Sequence, residues 1–112
     1  MSKNNIRDKE FPITLDKERH LRLDLNAFCV LEDAYGDDTF AILEGAEKGS
    51  LKALRAVVWA SLVHEDNTIT EKEVGRMIHP GNMADATQLI QDVITYYLPE
   101  TVNPQPPAPA TQ

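Results

Sequence analysis

The chain has 112 residues, 42 % apolar and 26 % charged, proportions that suit one small globular domain. Eleven Lys and Arg against eighteen Asp and Glu give a formal net charge of -7. That balance argues against a nucleic-acid binder, because phosphates need a basic surface, and against a polybasic membrane-surface module. The only cysteine, Cys29, cannot make an internal disulfide, so a secreted, disulfide-stapled scaffold is excluded.

The opening MSKNNIRDKEF holds no apolar stretch, so no signal peptide is expected, and residues 1–10 read as a flexible polar start. The apolar runs 27–31 and 56–60 are too short to span a bilayer, and the expected location is the cytoplasm. From Phe11 the pattern changes. Phe11, Ile13 and Leu15 alternate with Pro12 and Thr14, and Leu21, Leu23 and Leu25 alternate with Arg22 and Asp24. Such alternation gives a strand one apolar and one polar face, so the spacing predicts a hairpin with the polar run 16–20 as its loop.

Helical spacing follows. Asp24 or Asn26 can cap a first helix with Leu25, Phe28, Leu31 and Tyr35 on one face, stopped by Gly36. Asp37 or Asp38 can start a second, containing Phe40, Leu43 and Ala46 and ended by Gly49. Ser50 caps a third over residues 51–64. There Leu51, Leu54, Val58 and Leu62 form one stripe, with Ala53, Ala56 and Ala60 roughly opposite. Apolar on most sides, it belongs in the middle of a bundle. After an Asp66-Asn67 turn, Thr70 and Glu73 make a capping box before Val74, Met77 and Ile78. Pro80-Gly81 breaks that helix, and Asn82 can cap a last one with Ala86, Leu89, Ile90, Val93 and Tyr97 inward. From residue 99 the tail PETVNPQPPAPATQ has little charge and little to bury, and reads as disordered. The expected fold is mainly α (α+β). An N-terminal hairpin packs on about five short helices over residues 11–98, with Leu54, Val57, Val58, Leu62, Leu89, Ile90 and Val93 in the core.

Catalytic chemistry finds little support. Residues 62–73 end like a calcium-binding loop, but counting back from Glu73 puts Leu62 at the first ligand position and Asn67 where the sharp turn needs glycine. His64, Glu65, Asp66 and His79 lack the i, i+4 spacing of helical metal sites, so no metal or other cofactor is expected. Cys29, between Phe28 and Val30, reads as a buried, inert thiol. No nucleophile elbow or phosphate-cradling glycine loop is present in the sequence, which reads as non-enzymatic. The segments 70–78 and 83 onward have helix-turn-helix lengths. The second, however, carries Asp85 and Asp92 with no Lys or Arg, the wrong charge for a phosphate-lined groove.

Trp59 falls between Lys52 and Arg55, off the main stripe, and can be either a core residue or a partner anchor. Arg55 and Val63 on the same helix, and Tyr96 beside inward-facing Tyr97, complete the set of partner-contact candidates.

Two segments together, LRLDLNAFCVLEDAYGDDTF and SLKALRAVVWASLVHEDNTITEKEVGRMI, resemble the small tail assembly chaperones of long-tailed phages, prophages and gene transfer agents. The matching residues are Leu31-Glu32-Asp33, Gly36, Val58-Trp59-Ala60-Ser61-Leu62, and Thr70 with Glu73-Val74-Gly75, and the similarity covers about residues 11–98. The resemblance implies a non-enzymatic protein of virion morphogenesis. It would bind the tape-measure protein and help tail-tube subunits polymerise around it, with self-association into open oligomers. The alternatives are a small acidic regulatory or interaction protein without a tail role, and a DNA-binding regulator with an unusual helix-turn-helix.

Overall fold

The computed structural model describes residues 10–98. The expected flexible start, apart from Glu10, and the expected Pro-rich tail lie outside the described residues.

Strands β1 (Phe11–Thr14) and β2 (Glu18–Leu21) pair antiparallel, with Phe11 opposite Leu21 and Thr14 opposite Glu18. The polar run expected as a loop is therefore mostly strand. Leu15 N–H donates to the Lys17 carbonyl at 2.9 Å, which leaves Asp16 at the tip of the turn. Arg19 and Leu21 then share the buried side of β2. Arg19 can be buried because its guanidinium donates twice to Asp16, at 2.9 Å each, and lies 3.8 Å from Glu65. In this register the even-numbered residues turn their backbone groups away from the partner strand. On β2, His20 N–H donates to Glu65 Oε2 at 3.0 Å, and His64 Nε2 donates to the His20 carbonyl at 2.7 Å. At His20 that edge is covered.

Helix α1 (Leu25–Tyr35) is capped by Asp24, which accepts from Ala27 N–H at 3.1 Å. Its buried residues are Ala27 and Leu31. Two expectations fail here. Leu25, the first helical residue, is 75 % exposed because the cap turns it outward. Cys29 is exposed rather than buried, since it lies two residues, about 200°, from both Ala27 and Leu31.

Gly36, at φ +56°, opens a 3₁₀ turn, Gly36–Asp38, before α2 (Thr39–Glu47). The buried stripe of α2 is Thr39, Leu43 and Ala46, which leaves Phe40 57 % exposed, against expectation. Gly45 lets α2 approach α3 (Leu51–Leu62) closely: a Cβ on Gly45 would lie 3.1 Å from Ala53 Cβ.

Capped by Ser50 through Ala53 N–H, α3 buries eight of its twelve residues and packs on α1, α2 and β2. Its all-round apolarity thus places it centrally, as expected. Leu51 is the exception, 59 % exposed at the first position. The capping box of α4 (Glu71–Met77) is complete: Glu73 N–H donates to Thr70 Oγ1 at 3.1 Å, and Thr70 N–H to Glu73 Oε1 at 3.0 Å. Such a cap contributes about 1 kcal/mol.

Asn82 does not cap α5 (Met83–Tyr97) with its side chain. It clamps the preceding turn instead, accepting from His79 N–H at 2.8 Å and donating to the Met77 carbonyl at 2.9 Å. The buried stripe of α5 is Ala86, Ile90, Val93 and Ile94. Ile94 stands where the sequence suggested Leu89, which is half-buried at the flank. The architecture is mostly helical, a two-stranded hairpin on five α-helices.

Candidate partner-binding site

Between α3, α4 and the start of α5 lies a hollow of about 230 Å³ walled by Leu51, Leu54, Gly75, Ile78 and Met83. Gly75 keeps it open on one side, where a Cβ would come within 3.3 Å of Arg55 Cδ. Lys52 and Arg55 stand at the rim, cationic in a chain of net charge -7. Exposed Leu51 extends the apolar wall towards solvent.

Arg55 is held from behind. Its Nε lies 3.7 Å from Glu71 Oε1, and Glu71 accepts from the Tyr35 hydroxyl at 2.8 Å. Burial, helped by the Glu71 carboxylate, pushes the Tyr35 phenol above its ordinary range. This chain of contacts ties α3, α4 and α1 together. An apolar hollow with a cationic rim can seat a large apolar side chain that has a carboxylate beside it.

The four partner-contact candidates fall in four separate places. Arg55 lines the hollow. Trp59, half-buried against the core, donates its indole N–H to the Ile69 carbonyl at 2.9 Å and anchors the loop before α4. Val63 lines a smaller depression of about 120 Å³ with Ala27, Val30 and His64. Tyr96 stacks edge-on with Phe11 and Tyr97, at ring-centroid distances of 5.6 Å and 4.9 Å. The sequence reading did not single out Lys52, Gly75, Ile78 or Met83 for this role. Leu51 carried the usable signal, as a large apolar residue directly after a cap.

The charged residues near the supposed calcium-like loop have local tasks. Asp66 accepts from Thr68 N–H at 3.0 Å and from its hydroxyl at 2.6 Å, which holds the Asp66 carboxyl below its usual range. His64 covers the β2 edge at His20. The Arg19 guanidinium likewise holds the Asp16 carboxyl low. A carboxyl depressed in the folded state adds stability above its unfolded pKa, lost as pH falls through the folded value. Asp16→Asn is therefore expected to lower the thermal midpoint at neutral pH, with the difference from the wild type vanishing well below pH ~4. The effect is modest, on the order of 0.5 kcal/mol, because the Asp16 side chain is 44 % exposed. A difference that persists undiminished in strong acid would rule out the ion pair as its source.

A family model described as phage tail tube protein, GTA-gp10, matches residues 13–99. No curated protein and no solved structure matches the chain.

Proposed function

This chain belongs to the phage tail family described as tail tube protein, GTA-gp10, and within a phage tail role we propose that it is a tail assembly chaperone. It acts without catalysis in the host cytoplasm, binding the tape-measure protein and assisting polymerisation of the tail-tube subunits. The observation that carries this reading is the apolar hollow between α3 and α4, with Leu51 exposed on its wall. A long helical protein held in solution before the tube closes exposes apolar residues at helical spacing, and a hollow of this kind takes one such anchor. The high negative charge of the chain opposes self-precipitation while the target is held. Among the described residues no helix is long and apolar enough to cross a membrane.

Co-expression with the tape-measure protein encoded in the same tail gene cluster tests the reading. The expected outcome is more soluble tape-measure protein and a complex that co-purifies, both reduced by Leu51→Glu. Leu51 is exposed, so that variant should fold. No gain in solubility and no complex, with the wild type folded, overturns the chaperone role.

The wording of the family description supports a second reading, a subunit of the tube itself. Finished tails separate the two. A tube subunit remains there in many copies, whereas a chaperone is absent.

A further inference from the structure

The two edges of the hairpin are finished differently. On β2 the outward groups of His20 are taken by Glu65 and His64, and Arg22 N–H donates to the Ser61 carbonyl at 3.0 Å. On β1 the outward positions are Pro12 and Thr14, both exposed. Thr14 N–H and the Thr14 and Pro12 carbonyls have no hydrogen-bond partner among the described residues. Such groups at a strand edge are a template for another extended chain.

Beside this edge runs a groove of about 400 Å³ between β1 and the outer flank of α5. Leu89 contributes an apolar stretch of its wall, while Glu18, Asp85 and Asp92 contribute three carboxylates with no cation among the lining residues. We propose that the outer edge of β1 is a strand-addition site for an extended partner segment that carries Lys or Arg at alternate positions. Thr14 N–H and the two carbonyls pair with the segment's backbone. Its alternate side chains reach the carboxylates of Asp85 and Asp92. This surface is separate from the α3–α4 hollow, so it stands or fails independently of the chaperone role.

Pro12 supplies the decisive variant. Residue 14 has the same outward parity as residue 12, which already holds proline, so Thr14→Pro removes the edge donor without removing a ladder bond. The probe is a short capped peptide alternating Lys and Val, with a Glu/Val peptide as control, added to the full-length protein. Expected is saturable binding of the Lys/Val peptide that slows exchange of the Thr14 amide by about tenfold or more. Binding should weaken several-fold between roughly 0.05 and 0.3 M salt, and with Asp85→Asn or Asp92→Asn. Thr14→Pro should abolish it while thermal unfolding stays unchanged.

Equal binding of the Glu/Val peptide overturns the proposal, as does binding that leaves Thr14 exchange untouched. Strong protection of the Thr14 amide in the protein alone also overturns it, because a second copy or the chain's own termini would then cover the edge. Should Thr14→Pro fail to fold, the exchange of Thr14 in the wild type decides by itself.

Discussion

Ile90→Ala is expected to lower the unfolding free energy by about 2–5 kcal/mol, read as a drop in the urea midpoint at unchanged slope. Ile90 is fully buried on the inward stripe of α5, the helix that meets α2, α3 and β1. Truncation removes three carbons from a place where those elements converge, and none can relax inward without disturbing the others. The lost transfer free energy is thus compounded by an unfilled cavity. Leu25→Ala serves as the control. Leu25 is 75 % exposed, and its truncation should stay within about 0.5 kcal/mol. Similar values for the two would show that α5 does not close the core.

Trp59→Ala is expected to cost about 3 kcal/mol, the lower end for a large aromatic, because the ring is only half-buried. Two losses combine. The ring leaves a gap at the α3–α4 junction, and the Ile69 carbonyl loses the indole donor. Ile69 is 6 % exposed, so water does not readily replace that donor. Trp59→Phe should keep most of the packing and cost nearer 1 kcal/mol. Equal losses in the two variants would assign the whole effect to the hydrogen bond. A negligible loss in both would make Trp59 a surface residue. Because Trp59 holds the loop before α4, its truncation reports on folding rather than on partner contact, whereas Leu51 reports on contact.

The elements set by local rules could be read directly from the sequence. The Thr70/Glu73 capping box, the Ser50 cap, the Gly36 stop and the central α3 all depend on spacing within a few residues. What escaped depends on groups far apart in the chain. Residues 16–20 read as a loop because Arg19 is charged. Its burial follows from Asp16 at the turn and Glu65 some forty-five positions away. Cys29 sits in an apolar run, yet only its neighbours at helical spacing from Ala27 and Leu31 find a surface to cover them. Asn82 stands where a cap belongs, but its amide is used on the turn behind it. The hollow also needed three dimensions, since Gly75 and Arg55 meet only when α4 lies across α3. The resemblance brought the chain to the phage tail, and the family match places it there; the composition could not.

The slender attachment of α4 has a consequence for selectivity. This two-turn helix rests chiefly on α3, with side-chain ties from Tyr35 to Glu71 and from Asn82 to Met77. Helices so short have almost no stability of their own, so α4 depends on these contacts to stay folded. Gly75 on α4 and Ile78 at its end form one wall of the hollow, and α3 forms the other. The hollow therefore has one wall on the central, buried α3 and the other on a short helix. A side chain that bridged both walls would favour the arrangement in which α4 is packed. Loss of the Thr70 cap is therefore expected to weaken binding at the hollow as well as lower stability.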